Sequence, residues 1–281
     1  MRVDKVLPWV VRSAWASLPL AAGPTLADRL NDWDTATRTM ASALLWVGWA
    51  LVAVGTCVAL PACLALTRVG VASGLVVAGA ARSPGVAAAL IAAAAAARPE
   101  VAEWFVNGPA YPNERRFPLR VPGALILGPL WLAAAVAVAG PAAGLLLLAD
   151  GNWALGVPVT AIGTGVAVIG ARALGGLTRR WVVFVPAGLV VHDPIALTDP
   201  VLFERSVIES LRAAPADTDS LDLTQGALGL ALELVLREKV PIVLAKGRRG
   251  AESGASARLL ITPTRPGRVL AEAAERRIAA G

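Results

Sequence analysis

The chain has 281 residues, of which 56% are apolar, with a mean hydropathy of +0.64 and a formal net charge of +6. That apolar share excludes a wholly soluble chain of ordinary composition. In so apolar a chain, the basic excess points to membrane topology rather than nucleic acid, because Lys and Arg gather on the cytoplasmic side. The apolar excess lies between Met40 and Leu177, while residues 178–281 are ordinary, so two parts with different solvents are expected.

Residues 1–40 alternate polar and apolar stretches, broken by Pro8, Pro19 and Pro24. Val6–Val11 and Leu18–Ala22 are too short to span, and Arg12 interrupts what would be a signal-peptide core. Trp9 and Trp15 with Arg2, Lys5 and Arg12 suit an interfacial or cytosolic segment, rings at headgroup depth and cations toward phosphates. The plainer alternative is a disordered tail. Thr25–Met40 reads as a helix, with Asp28, Asp32 and Asp34 early and Arg38 late, as a helix dipole prefers.

Four spans are expected over 41–177. Ala41–Leu66 carries no charge and is long enough for the ~30 Å hydrocarbon core, with Pro61 as a possible kink site. Val69–Ala97 reads as one long helix bent near Pro84 rather than a re-entrant pair, with Arg82 facing the bundle interior or a watery crevice. Pro122–Leu148 and Trp153–Leu177 follow, joined by Asp150-Gly151-Asn152. Gly140 with Gly144, and Gly163 with Ala167, are small residues four apart that permit close helix approach.

Four spans put both termini and the loop 98–121 on one side. That side then holds Arg2, Lys5, Arg12, Arg29, Arg38, Arg98, Arg115, Arg116, Arg120, Arg179 and Arg180, against Arg68 and Asp150 on the other. The asymmetry places both ends in the cytoplasm. The expected location is a bacterial cytoplasmic (inner) membrane.

From residue 178 the period changes. Trp181–Val185 and Leu189–His192 flank Pro186-Ala187-Gly188 as a hairpin. Val201–Glu204, Val207–Leu211 and Leu221–Thr224 follow. Leu230, Leu232, Leu234 and Leu236 then alternate with Ala231, Glu233, Val235 and Arg237, the pattern of a strand with one buried face. Pro241–Ala245 and Arg258–Thr262 complete the strands, separated by an exposed loop at residues 247–254. Pro266–Ile278 closes the chain as an amphipathic helix. A mainly-β domain over 178–281, its open end covered by a helix, is therefore expected after an α-helical transmembrane bundle.

This layout is similar to bacterial pleckstrin-homology-like domains appended to membrane spans. The residues carrying the likeness are the Trp181–Asp193 hairpin, the Val201–Leu211 strands and the Leu259–Pro263 strand entering the last helix. The whole chain also resembles multi-pass membrane proteins of high-GC Gram-positive bacteria, a resemblance that implies no activity. The pleckstrin-homology-like likeness implies a recognition module.

Candidate chemistry is sparse. Arg98, Trp104, Arg115, Arg116 and Arg120 combine aromatics with guanidiniums that bind phosphate bidentately, and are candidates for lipid or partner contact. In the plainer reading they are solvated juxtamembrane residues. Glu100 and Glu103, three apart, are the acid–base candidates of a membrane-embedded enzyme. Arg82 is the intramembrane functional candidate, because a charge inside a span is costly. His192 precedes Asp193, but adjacent strand residues face opposite ways, which argues against a dyad. Cys57 and Cys63 have no nearby His, Asp or Glu, so neither a metal nor a cofactor is expected. Lys246, Arg248 and Arg249 are too short a run for nucleic acid. No catalytic residue is assigned. The expected function is a non-enzymatic membrane scaffold or accessory subunit, with lipids and other membrane or cytosolic proteins as partners. The alternatives are a lipid or small-molecule transporter (or its subunit) and an enzyme built on the 98–120 loop.

Overall fold

Asp34 sets where the first long helix begins. Its carboxylate accepts the backbone N–H groups of Ala36 and Thr37 at 2.9 and 3.1 Å, satisfying two amides that a helix start leaves open. Helix α3, Thr35–Cys57, follows, so the helix expected across Thr25–Met40 is divided between it and α2, Leu18–Leu30. The structure, a computed structural model, describes residues 3–245 and 250–280, with side chains from Val6 onward. Arg2, Lys246, Arg248, Arg249 and the side chain of Lys5 lie outside what is described.

The chain forms two units, one from Met1–Gly108 and Leu130–Gly175, the other from Pro109–Pro129 and Gly176–Gly281. The first is helical. Besides α2 and α3 it contains α1 (Val3–Ala16), α4 (Pro61–Ala80), α5 (Gly85–Ala96), α6 (Pro99–Asn107), α8 (Pro129–Ala149) and α9 (Trp153–Leu177). Four of these, α3, α4, α8 and α9, are long and apolar enough to cross a membrane. The α5–α6 pair, bent by 65°, makes a fifth if it is one broken span. Only 6% of the most apolar window of α8 and 11% of that of α9 is buried, which leaves most of their apolar side chains at least partly exposed, as suits lipid contact.

The number of long apolar helices agrees with the expectation, but two boundaries move. The run Ala41–Leu66 breaks at Val58–Leu60, and Pro61 starts α4 instead of kinking a longer span, the position where its missing N–H costs nothing. The single bent helix over Val69–Ala97 becomes α4 and α5, joined by a turn in which Arg82 has φ +53° and an exposed side chain. Arg82 thus lies in the turn between two helices and not within one long helix.

Residues 3–30 are not a separate tail. Val11, Trp15 and Ala22 are buried, and Val11 and Trp15 share a core with Val52, Leu64, Val71, Ala92 and Phe105. The indole N–H of Trp15 donates to the Trp49 carbonyl at 3.0 Å, and that of Trp49 donates to the Trp15 carbonyl at 3.1 Å. Helix α1 runs antiparallel to α3, since Arg12 meets Thr56 while Trp15 meets Trp49. The end of α6 returns to the α3–α4 connection, where a Cβ on Gly108 would lie 2.0 Å from the Ala59 carbonyl oxygen. Helices α8 and α9 meet along a seam of small residues. A Cβ on Gly163 would lie 2.6 Å from Gly140, and one on Gly144 would lie 2.5 Å from the Thr160 nitrogen. Gly140, Gly144 and Gly163 therefore do what their spacing suggested.

The second unit is built on two four-stranded sheets. In the first, β1 (Arg115–Pro118), β2 (Trp181–Val185), β3 (Gly188–His192) and β4 (Val201–Glu204) form an antiparallel meander. The second has the order β5 (Ile208–Ala213), β7 (Leu232–Ala245), β8 (Ala251–Ile261), β6 (Leu221–Asp222), with β6 parallel to β8. A short helix α7, Gly123–Ile126, and the final helix α10, Pro266–Glu275, complete it. Phe117, Phe184, Phe203, Leu234, Leu259 and Val269 join both sheets and α10 in one core.

Three differences from expectation matter here. The sheet unit begins in the loop assigned to the membrane part, since Arg115–Pro118 pairs with Trp181–Val185. The runs expected at 230–237 and 241–245 merge into one strand, Leu232–Ala245, carried past a bulge between Val235 and Val240. Residues 251–254, expected in an exposed loop, are part of strand β8, while residues 247–249 lie outside what is described.

Candidate functional site

The 98–120 segment, which concentrates the candidate residues, is divided between the two units. Arg98, Glu100, Glu103 and Trp104 belong to α6 and its cap, while Arg115, Arg116 and Arg120 belong to β1 and the chain just after it. Glu100 lies 3.5 Å from Arg98, and Glu103 is buried. The side-chain amide of Asn107 donates to the Glu103 backbone carbonyl at 2.8 Å, a local helix contact.

The sheet unit has a groove on the outer face of β1, β2 and β3. The two-residue period of these strands turns Phe117, Val182, Phe184, Leu189 and Val191 into the core. It therefore leaves Arg116, Trp181, Val183, Val185, Val190 and His192 on the opposite face. With Glu114 these residues line an open cavity of about 230 Å³.

Register explains its chemistry. Trp181 is directly across from His192, and their rings stack with centroids 4.8 Å apart and planes 13° apart. Arg116 lies opposite Val183, and its guanidinium sits 5.5 Å from the centre of the Trp181 ring. Glu114 holds that guanidinium through a 3.1 Å contact to Nη2. Nδ1 of His192 meets the Arg179 carbonyl at 2.6 Å. A carbonyl can only accept, so Nδ1 donates in this contact. The groove thus has a valine floor, a flat Arg–Trp–His wall and one carboxylate at its rim.

Asp193 faces away from this groove. It is fully buried with Arg180, as the strand alternation argued, so no His–Asp dyad forms. Arg120 packs its guanidinium stem where Gly229, at φ +125°, leaves room, and its backbone carbonyl accepts from Arg180 Nη1 at 2.7 Å. Arg115 lies 5.7 Å from the Phe117 ring.

In the helical unit, Trp104 has a partner the local sequence did not name. Arg12 lies 4.7 Å from the ring centres of both Trp9 and Trp104, and its Nε donates to the Thr56 carbonyl at 2.9 Å. The three-residue spacing of Trp9 and Arg12 on one helix face was the available signal.

Cys57 is exposed and Cys63 half-buried, both as free thiols. Among the described residues no group of three or more His, Cys, Asp or Glu converges as metal ligands would. No family model, curated protein or solved structure matches the chain.

Proposed function

We propose that this chain is a non-enzymatic scaffold or accessory subunit of a bacterial inner membrane, displaying a pleckstrin-homology-like recognition domain in the cytoplasm. The observation that carries this reading is the groove of Arg116, Trp181, Val190 and His192 on a sheet face. Its valine floor suits an apolar side chain of a protein partner, and the stacked rings of Trp181 and His192 give it a flat wall. Two four-stranded sheets, antiparallel except where β6 pairs with β8, together with a C-terminal helix support the pleckstrin-homology-like assignment, although a fold does not dictate a function.

The competing readings draw on residues outside this groove. A transporter rested on Arg82 inside a span, and Arg82 is exposed in the α4–α5 turn. An enzyme rested on Glu100 and Glu103, of which the first is paired with Arg98 and the second is buried.

Purification of the tagged protein from its native membrane in mild detergent tests the reading. A stoichiometric protein should co-elute with the wild type and be lost from Trp181→Ala. Recovery alone, or a partner equally retained by Trp181→Ala, sinks the groove as the docking site.

A further inference from the structure

The end of the helical unit at which α3 gives way to α4 collects guanidiniums on helix carbonyls. Arg12 Nε donates to Thr56 in the last turn of α3, and Arg68 Nε donates to Ala96, the last residue of α5, at 3.1 Å. Each meets carbonyls that a helix C-terminus leaves without partners, at the negative end of its dipole. The opposite end of α3 is approached by Asp28, Asp32 and Asp34.

Arg12 is held more completely than that cap requires. Nε is fixed by Thr56, and the indoles of Trp9 and Trp104 lie against the guanidinium from two different helices. Among the described residues, no hydrogen bond or ion pair engages Nη1 or Nη2 of Arg12. What remains is a planar fork with two donors, immobilised before any ligand arrives. That shape matches two phosphate oxygens, and fixing it in advance removes much of the entropy cost of binding.

Its depth selects the source of the phosphate. Thr56 is one residue from the end of an apolar helix long enough to cross the bilayer, so Arg12 sits at a membrane boundary. Trp9 is 63% exposed beside it, and Trp is enriched at headgroup level. We propose that Arg12, oriented by Trp9, Trp104 and the Thr56 carbonyl, binds the phosphate of an anionic membrane lipid. This site is separate from the groove on the sheet unit and stands or falls independently of it.

Native mass spectrometry of the full-length protein, delipidated and then titrated with phosphatidylglycerol or phosphatidylcholine, tests the proposal. Wild type should retain phosphatidylglycerol in preference to phosphatidylcholine, and Arg12→Gln should weaken that retention about tenfold or more, the loss of a charge-assisted pair. Because Arg12 also caps α3, Trp9→Ala provides a second variant that leaves the Thr56 bond in place. It should lower phosphatidylglycerol retention while circular dichroism stays unchanged. Equal retention by wild type, Arg12→Gln and Trp9→Ala overturns the site. So does displacement of the lipid by millimolar inorganic phosphate, which would make it a free-anion site.

Discussion

Arg180 and Asp193 form a two-point ion pair in the core of the sheet unit, with Nε to Oδ1 at 2.8 Å and Nη2 to Oδ2 at 2.7 Å. Both side chains are almost wholly buried, at 1% and 0% exposure. The remaining Arg180 Nη1 reaches the Arg120 carbonyl, and Asp193 Oδ1 also accepts the Ile195 amide at 3.1 Å. The pair therefore ties the chain entering from β1 to β2 and to the turn after β3.

Removal of either partner strands a buried charge. Arg180→Ala or Asp193→Ala should cost the sheet unit about 3–5 kcal/mol, whereas an apolar pair of similar volume at both positions should cost much less. Chemical denaturation monitored by the fluorescence of Trp181 distinguishes the two. Equal losses for the single and paired replacements would show that the ion pair is not the determinant.

Glu233 gives this unit an acid sensitivity. Burial works to raise its pKa. Hydrogen bonds from Ser220, Thr218 and Arg212, with the charge of Arg212, outweigh that and bring it from 4.5 down to about 2. The folded carboxyl thus holds its proton more weakly than the unfolded one. Its stabilising contribution is fully present above about pH 4.5 and is lost as the pH falls toward 2. Glu233→Gln should flatten the decline in melting temperature over that window. A decline as steep as in the wild type would assign the acid sensitivity to other groups.

The α8–α9 seam depends on backbone contact. Gly163→Val introduces atoms where the Gly140 backbone lies, while Gly165, two residues along the same helix, has nothing within 4 Å of the position a Cβ would take. Gly163→Val should therefore destabilise the hairpin by about 1–3 kcal/mol, and Gly165→Val should have little effect. Thermal melting of the two variants in detergent separates them, and similar shifts would refute the packing.

Pairing of β1 with β2 constrains topology, because α8 and α9 lie between these strands in sequence. If α8 and α9 each cross a membrane, the second reverses the first, so the Asp150–Asn152 turn is expected on the side opposite to the residues before α8 and after α9. With Cys57 and Cys63 replaced by Ser, a cysteine at Asn152 should react with an impermeant maleimide from outside intact cells. One at Asp219 should not. Labelling of Asp219→Cys alone would invert the orientation.

Charge-free runs and two-residue alternation made much of this architecture legible. Val201–Glu204 is a strand at the bounds its sequence suggests, and Trp153–Leu177 is one helix. The break at Val58–Leu60 was not legible, because an apolar turn inside an apolar run has no charge to mark it. Pro61 reads equally as a kink or as a helix start until the neighbouring helices are known. Strand β1 was hidden for a different reason: Arg115–Pro118 is four residues long, and its partner Trp181–Val185 lies beyond three helices. Glu233 looked like an outward-facing charge on an alternating strand. Only the folded sheet brings Arg212, Thr218 and Ser220 to it. For the same reason the groove could not be read from Arg116 alone, since its wall comes from Trp181 and His192.

A photo-crosslinking amino acid at Val190, in the groove floor, tests the central claim most directly when irradiated in living cells. The account predicts a single crosslinked protein species that disappears when Trp181→Ala is added. Adducts to lipid alone, or a protein adduct untouched by Trp181→Ala, would contradict a recognition groove on this face.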